Sequence, residues 1–458
     1  MTRSEDIAII RPTRAWSAIT VLTIYVVVLL GIPASLRVAA LGTVGAPSMI
    51  LAMIAFVWWV WHHLQRTVPP RTSRAEPVRR MGLVFLLAMV LIYAHAMSRP
   101  MPGDEISPAD SGLLQTIGML GIILSANDGI DSISKWRTLL RRMAIGGGIV
   151  ALLAVAQFVT KRTLVDAISI PGLTASQLDA EIGSRSGLGR PSGTATHPIE
   201  FSAVIGVLLP IAINHARVTR ERRVVAWIAV TAMALASLLT VSRTAIVCVA
   251  VGLVFLLPTW SPVTRWLSLG ATMSLTVVAS LAVPGLNGTL RGMFLGAGED
   301  TSVQSRTASW SIAWSYFERD PWLGRGFGTF LPKYWILDNF YLLFVIQAGI
   351  VGLLALLALL GAALFSARRA AKSFADQDDR DMAQSLCAAV AAGSVSFVFF
   401  DAFSFPQSAG FVFLVIGLSG TAYRLAVMDN PAAAPPVPPT QGNELTAITD
   451  RAEEVSRS

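Results

Sequence analysis

Residues 224–257 read VVAWIAVTAMALASLLTVSRTAIVCVAVGLVFLL, an apolar run of 34 residues with one charged side chain. About 20 apolar residues are enough for one helix to cross the hydrocarbon core of a bilayer. The run is therefore far too long for a single crossing. Its one charge, Arg243, lies near the middle and follows Ser242. The sequence predicts a hairpin of two membrane spans with the Ser242-Arg243 pair at its tip.

The rest of the chain is similarly apolar. Of the 458 residues, 53% are hydrophobic and 14% are charged, whereas roughly a quarter of the residues of a soluble protein are charged. Apolar runs near membrane-crossing length recur along the whole sequence. Because lipid leaves the edges of an open sheet without hydrogen-bond partners, these spans must be helices. The composition therefore predicts an all-α polytopic integral membrane protein.

We predict about twelve transmembrane helices. The fourth has the weakest pattern, because it is short and is interrupted by Gln115 and by glycines. The predicted spans cover residues 16–31, 44–64, 81–97, 111–126, 143–160, 198–214, 224–240, 243–257, 266–283, 340–365, 382–403 and 406–425.

The distribution of basic residues predicts the orientation of these spans. Cytoplasmic loops of membrane proteins carry an excess of Lys and Arg. With a cytoplasmic N-terminus, 24 of the 36 Lys and Arg residues fall on the cytoplasmic side. Both ends are then cytoplasmic: residues 1–15, and a disordered tail at 429–458 that is rich in Pro and Ala. The membrane domain, 16–428, would carry a small outer loop at 161–197 and a large one at 284–338, between spans nine and ten.

The chain shows none of the usual sequence signals for metals, nucleotides or nucleic acid. Its two cysteines, Cys248 and Cys387, fall inside predicted spans, where packing is their expected role. The predicted outer face carries no DxD-type pair, no HExxH and no nucleotide-binding motif. The net charge of +8 fits loops that face anionic lipid of the inner leaflet. We therefore predict no metal, no cofactor and no nucleic-acid partner.

Three charged residues, Arg190, Arg243 and Asp338, lie within a few residues of the predicted outer ends of spans. Charge at this depth is costly unless it is paired or faces a water-filled cavity. The planar fork of arginine matches phosphate oxygens, and a carboxylate can accept the proton of an attacking hydroxyl. Glycosyl transfer from a lipid diphosphate needs both groups, so we predict these three residues to be catalytic.

Structural interpretations remain open for several of these residues. Arg243 could extend from a helix end towards the interface, and Arg190 could be an ordinary loop residue. His197 precedes Pro198 and could cap a helix, while Glu200 in the first turn could complement the helix dipole.

The large loop contains further candidates. Residues 305–319 place Trp310, Ala313, Trp314 and Phe317 at spacings of three and four, which predicts an amphipathic helix. Such a helix would suit the membrane interface, or it could pack against the core of the loop itself. The glycines around Arg325 permit close approach of the backbone to a ligand. The predicted substrate-binding residues are Arg325, Arg306, His197, Asn339, Ser242, Gly326 and Gly328.

The order of these motifs resembles the O-antigen ligase and O-antigen polymerase superfamily. The similarity rests on RPSGTATHPIEF from Arg190, on Ser242-Arg243, and on a large loop in which Arg306-x3-Trp310 precedes DPWLGRGFGTF at 320–330. It also rests on Asp338-Asn339, followed after nine residues by Gly349 and then Gly352. The resemblance covers residues 189–364; the first five spans match in hydropathy only.

The resemblance implies a GT-C-like glycosyltransferase in the bacterial inner (cytoplasmic) membrane with its site on the outer face. It would work without metal on a polyprenyl-diphosphate-linked oligosaccharide donor and a glycan or lipid acceptor. Other polysaccharide-assembly proteins are further implied partners.

By motif, the diphosphate-binding arginines of the family map to Arg190 and Arg243, and its catalytic histidine maps to Asp338. The aspartate favours a polymerase, or a ligase for another cell-envelope acceptor, over a ligase for the lipopolysaccharide core. An inactive relative is a further alternative.

Two other classes of function are compatible with the composition. A transporter or flippase of lipid-linked saccharides predicts polar residues near the bilayer centre, but the middles of the predicted spans are almost entirely apolar. A non-catalytic scaffold of an envelope-polysaccharide complex predicts that the arginines tolerate substitution. The clustering of polar groups at outer ends favours the transferase.

Overall fold

The computed structural model describes residues 17–65, 76–175, 184–185, 188–285, 288 and 301–429. The predicted segment 1–15 and the tail beyond Asp429 lie outside these residues. The described chain is almost entirely helical. Its α-helices are α1 (Ala18–Gly31), α2 (Pro47–Leu64), α3 (Pro77–Met97), α4 (Gly103–Gly129), α5 (Ile133–Thr160), α6 (Pro198–Val218), α7 (Arg223–Leu239), α8 (Arg243–Leu256), α9 (Pro262–Ala282), α10 (Thr301–Phe317), α11 (Phe340–Ser373), α12 (Gln377–Ser396) and α13 (Pro406–Asp429).

Two short antiparallel strand pairs supplement the helices. Strand β1 (Leu36–Arg37) pairs with β2 (Thr174–Ala175), and β3 (Ser184–Arg185) pairs with β4 (Leu188–Gly189). The first pair joins the α1–α2 connection to the predicted small outer loop.

Each of the twelve predicted spans overlaps one of these helices. Among the described residues, seven helices are long and apolar enough to cross a membrane, and α1, α7 and α8 are shorter apolar helices. The protein is thus an all-α, multi-pass membrane protein. Helices α9 and α12 fall in neither group, so the number of twelve spans remains a prediction.

The helices pack into one bundle around α4, α6 and α13. Helix α13 contacts α4 and α11, while α12 lies against α6, α8 and α11. Helix α9 is peripheral: Ala279 is its one buried residue. We call the end of the bundle where α6, α8, α11 and α13 begin the loop end.

The predicted hairpin in residues 224–257 is present. Helix α7 ends at Leu239 and α8 begins at Arg243. Between them, Val241 has a φ of 47° and is fully buried. Left-handed backbone is unusual for a β-branched residue, so this tight reversal is held in place by the surrounding packing.

Helix α4 is longer than predicted from the sequence. The predicted span covered residues 111–126, but the helix begins at Gly103 and ends at Gly129. Its first turn carries Asp104 and Glu105, which lower the local hydropathy. The large loop neutralises both carboxylates, because Arg325 binds Glu105 and Lys333 binds Asp104. Charges that are paired in this way do not end the helix.

Helix α10 confirms the predicted helix in the large loop, but its tryptophans do not face the core. Trp310 and Trp314 are 62% and 60% exposed, whereas Ala313 is 3% exposed. Ala313 packs with Phe330 and Leu337 and with the start of α11. The helix therefore buries a small-residue face in the loop and leaves the tryptophan face outward, where an interface could accept it.

Helix α11 is broken at Gly349, where the large loop inserts its own backbone. Gly349 has φ 61° and ψ −165°. On the N-terminal side of the break, the carbonyls of Ile346 and Gln347 accept the N–H groups of Arg325 and Gly326, at 3.0 and 2.9 Å.

The C-terminal side of the break is satisfied in the same way. The N–H of Ile350 donates to the carbonyl of Pro321 at 2.9 Å, and the N–H of Val351 donates to that of Trp322 at 3.1 Å. Unpaired backbone groups are costly in a membrane. The loop segment 321–326 therefore completes the hydrogen bonding that the broken helix leaves open.

Gly349→Ala should disrupt the backbone hydrogen bonds between loop segment 321–326 and α11. A Cβ at Gly349 would lie 2.3 Å from the carbonyl oxygen of Trp322, and the backbone there is one that only glycine adopts readily. We expect a loss of at least about 2 kcal/mol in stability, together with faster trypsin cleavage after Arg319 and Arg325. Gly361→Ala is the control, since nothing lies within 4 Å of a Cβ there. Equal thermal midpoints and equal cleavage rates for the two variants would contradict this assignment.

Candidate functional site

Buried polar side chains of the bundle hold the loop that carries Arg190. Gln157 of α5 exchanges two 2.8 Å hydrogen bonds with the backbone of Gly193, one from each partner. Gly193 has a φ of 61°, and a Cβ there would lie 2.8 Å from Val150. The glycine in the segment RPSGTATHP is thus required by a tight turn over α5.

Glu200 ties the same loop to the start of α13. Its carboxylate is fully buried and accepts the N–H groups of Thr196 at 2.8 Å, Gln407 at 2.8 Å and Ser408 at 3.4 Å. The first N–H groups of a helix have no partner within the helix and favour an anion. Glu200 supplies the hydrogen-bond acceptor for these N–H groups of α13.

Gln407 adds a third connection. Its side-chain amide donates to the carbonyl of Leu29 at 2.7 Å and to the hydroxyl of Thr194 at 2.9 Å. The N–H of Ala34 also donates to the carbonyl of Thr194 at 2.9 Å. The loop from Arg190 to His197 is therefore held by the end of α1, by α5 and by α13.

Arg190 reaches the tip of the α7–α8 hairpin. Its Nε donates to the carbonyl of Thr240 at 2.8 Å, and the hydroxyl of Ser202 donates to the Thr240 hydroxyl at 3.1 Å. Thr240 follows the last residue of α7, where the helix dipole favours a cation. Arg243 lies three residues further on, so the structure brings the two predicted arginines to the same turn.

Arg243 lies at the positive end of a helix dipole. It is the first residue of α8, and Ser242 at the N-cap makes no side-chain capping bond. The N-terminal end of a helix dipole opposes a cation and favours an anion. A negatively charged ligand at this turn would be stabilised by the helix start and by arginine together.

Asp338 lies immediately before α11. The Asn339 side chain caps this helix by accepting the N–H of Leu342 at 3.2 Å, and the N–H of Phe340 donates to the carbonyl of Phe397 at 2.9 Å. Asp338 is half-buried, and its carboxylate has no hydrogen bond or ion pair with any residue that the structure describes. Asn339, predicted to bind substrate, thus has a clear capping role.

Helix α12 connects the Asp338 region to the arginine turn. Its carbonyl at Ala392 accepts from the thiol of Cys248 in α8 at 3.6 Å, and its end at Phe397 anchors the start of α11. Arg243 and Asp338 therefore lie at the loop end on segments that contact one helix, and Arg190 reaches the turn that carries Arg243.

His197 acts as a helix cap in the structure. Its Nδ1 accepts the N–H of Ile199 at 3.1 Å, so it serves as the N-cap of α6. The ring lies 6.3 Å from that of Phe405, centroid to centroid. A part in substrate binding remains a prediction.

Arg325, Gly326 and Gly328, also predicted to bind substrate, lie in a second cluster between α4 and the large loop. The Nη2 of Arg325 contacts the Oε1 of Glu105 at 2.7 Å, and the Tyr334 hydroxyl donates to the same oxygen. The guanidinium carbon lies 4.7 Å from the Tyr334 ring and 5.5 Å from the Tyr316 ring. Arg325 is thus held by a buried carboxylate and by aromatic faces.

The glycines beside Arg325 are required for packing. Gly326 has a φ of 113°, and its Cβ would lie 2.5 Å from Ala96. Gly328 has a φ of 85°, and its Cβ would lie 2.3 Å from the carbonyl oxygen of Pro108. Both therefore close the loop onto α3 and α4, and ligand binding by them stays a prediction. Arg306 belongs to α10, but its side chain lies outside the described residues.

Sequence reasoning missed two charged groups near these clusters. Asp320 accepts from His95 at 2.9 Å and from Arg99 at 3.3 Å. Burial lowers the pKa of Arg99, and Asp320 partly opposes that shift. The α3–α4 turn escaped notice because it contains one charged residue, Arg99, and no motif.

Asp401 is the second omission. It falls within the predicted span 382–403, but α12 ends at Ser396 and Asp401 lies in the turn before α13. It accepts the N–H of Phe403 at 3.3 Å and the hydroxyl of Ser404 at 2.5 Å. Burial raises the pKa of Asp401. The following Phe405-Pro406 was the available signal, since a residue before proline disfavours helix.

Comparison with known proteins bears on this arrangement. Residues 228–357 match the family model of the O-antigen ligases. This match confirms the resemblance to the O-antigen ligase and polymerase superfamily. No curated protein matches the chain. The matched segment runs from α7 into α11, and it includes the α7–α8 turn and Asp338; Arg190 and His197 precede it.

At family level, the O-antigen ligase match indicates a glycosyltransferase-like membrane enzyme with a lipid-linked donor and a glycan acceptor. Within the described ranges, no group of three or more His, Cys, Asp or Glu side chains is placed to hold a metal ion.

Glu105→Gln should destabilise the protein. Glu105 is 1% exposed, so the change leaves the Arg325 cation largely buried without its counter-charge, at a cost of about 3 kcal/mol. The thermal unfolding midpoint of the purified protein measures this effect. Asp104→Asn removes an exposed ion pair in the same turn and should change the midpoint little. A Glu105→Gln midpoint equal to that of Asp104→Asn would show that the buried pair is not needed.

Proposed function

We propose that the protein transfers or polymerises saccharide units from a polyprenyl-diphosphate-linked donor onto a glycan or another cell-envelope acceptor. The reaction would take place at the loop end, on the extracytoplasmic face of the bacterial inner membrane. The observation that carries this proposal is the Arg190–Thr240 hydrogen bond. It places a second guanidinium at the turn where Arg243 begins α8, at the same end of the bundle as the Asp338 carboxylate.

The two arginines would bind the diphosphate of the donor. Arginine pairs bidentately with phosphate oxygens, and the start of α8 favours an anion at the same turn. Negative charge grows on the diphosphate as the bond to the sugar breaks. Donors that are already in position stabilise this charge without reorganisation.

Asp338 would act on the acceptor. An acceptor hydroxyl attacks the anomeric carbon of the donor sugar and forms the new glycosidic bond. The bond from that carbon to the diphosphate oxygen breaks, and the diphosphate leaves with the electron pair. The hydroxyl proton passes to the Asp338 carboxylate. Arg190, Arg243 and Asp338 supply each of these roles from the chain itself, so we propose a metal-independent mechanism.

Substitutions at the three positions should reduce transfer in a defined assay. Purified full-length protein is incubated with a polyprenyl-diphosphate oligosaccharide and acceptor, and the product is separated by length. We expect Asp338→Asn to lower kcat by roughly 10²–10⁴-fold. Arg243→Ala and Arg190→Ala should lower it by roughly 10²–10³-fold.

Matched controls lie in the same region. Arg162→Ala and Asp166→Asn change exposed charges just after α5 and should leave the rate unchanged. Wild-type rates for both Asp338→Asn and Arg243→Ala would overturn the mechanism. Ladders of increasing length would identify a polymerase, and a single addition would identify a ligase. Donor translocation in liposomes without any acceptor, and no transfer with it, would instead indicate a flippase.

A further inference from the structure

An open groove of about 640 Å³ lies on the outside of the bundle between α5 and α7. Its walls are apolar and include Leu152 and Val155 from α5 and Trp227, Ile228 and Leu235 from α7. The volume falls in the range of small-molecule pockets, roughly 300–1,000 Å³. The groove lies on the outer surface of the bundle, which the apolar composition of α5 and α7 predicts to face lipid.

Close packing of the two helices shapes the groove. A Cβ at Gly148 would lie 2.5 Å from that of Ala229, so the helices meet at this point because one partner is glycine. Beside the contact, larger side chains project outward: Trp227 is 38% exposed and Leu152 is 49% exposed. Small residues at the contact and large ones beside it produce the groove along α5 and α7.

One end of the groove is strongly basic. Arg223, the first residue of α7, is among its lining residues, and Arg220 and Arg222 belong to the preceding turn. All three are exposed. None of their guanidinium groups forms an ion pair or hydrogen bond with residues in the described ranges. Glu221 is the one acidic residue in this turn, so the turn carries a net positive charge.

This basic end is opposite the loop end. Helix α6 begins at the loop end and ends at Val218, α7 begins at Arg223, and α7 returns to the loop end at Thr240. The groove is therefore separate from the turn that holds Arg190 and Arg243. The distribution of Lys and Arg predicts that the Arg223 side is cytoplasmic, where the leaflet contains anionic lipids.

We propose that this groove binds one anionic phospholipid, with an acyl chain along the α5–α7 wall and its phosphate on Arg222 and Arg223. Arginine pairs with phosphate oxygens, and basic pockets between transmembrane helices on the cytoplasmic side recognise anionic headgroups. A free anion would make no use of the apolar wall. A zwitterionic lipid would fill the wall but would leave the excess positive charge of the turn uncompensated.

Native mass spectrometry of the purified full-length chain tests the site. The protein is titrated with phosphatidylglycerol and with phosphatidylcholine of the same acyl chains. Each basic residue near the headgroup contributes ~1 kcal/mol, which is about fivefold in affinity. The double variant Arg222→Gln/Arg223→Gln should therefore weaken phosphatidylglycerol binding by roughly 25-fold. Its binding of phosphatidylcholine should fall much less, because the choline cation already offsets the phosphate charge.

Two further variants separate the headgroup from the acyl chain. Arg369→Gln removes an exposed arginine near the end of α11, at the same end of the bundle, and should leave binding unchanged. Thr231→Trp narrows the groove at an exposed lining position and should weaken the binding of both lipids.

Three results would overturn the proposal. The first is equal binding of the two lipids by the wild-type chain. The second is unchanged phosphatidylglycerol affinity in the double arginine variant. The third is complete displacement of phosphatidylglycerol by inorganic phosphate, which would show that the arginines bind a free anion.

Discussion

The loop end of the bundle depends on the buried carboxylate of Glu200. This one group accepts N–H donors from Thr196 and from the start of α13, segments that are about 200 residues apart in sequence. Backbone donors at a helix start have no partner within the helix, and their desolvation in a bundle is costly without an acceptor. By satisfying them, Glu200 lets an irregular loop pass close to the bundle core and carry Arg190 to the α7–α8 turn.

A related constraint shapes the large loop. A membrane allows irregular backbone only where protein or water satisfies it, and α11 is interrupted at Gly349. The loop provides the missing donors and acceptors from its own backbone. The Glu105–Arg325 pair then fixes the loop to α4 from the other side.

The sequence predicts the positions of the apolar helices because bilayer thickness fixes the length of an apolar helix. The tip of the α7–α8 hairpin was found from a single charge in a long apolar run. Hydropathy could not predict the full extent of α4, since Glu105 is compatible with burial only through its tertiary partner Arg325. Asp401 was missed because an isolated charge beside an apolar run leaves the end of a helix ambiguous.

The candidate site could be predicted only in part. Position along the chain was enough to place Arg190, Arg243 and Asp338 near helix ends. It could not show that Arg190 bonds to Thr240, which depends on a tertiary contact. Nor could it separate Arg325, Gly326 and Gly328 from the arginine turn, because a glycine-rich segment looks the same whether it approaches a ligand or packs against another helix. Both glycines meet protein atoms at α3 and α4.

The most direct test of the central claim is an experimental structure of the protein with a polyprenyl-diphosphate saccharide bound. We expect density for the diphosphate within hydrogen-bonding distance of the Arg190 and Arg243 guanidinium groups, with the anomeric carbon on the side of Asp338. Diphosphate density beside Arg325 and Glu105, or at the opposite end of the bundle, would contradict it.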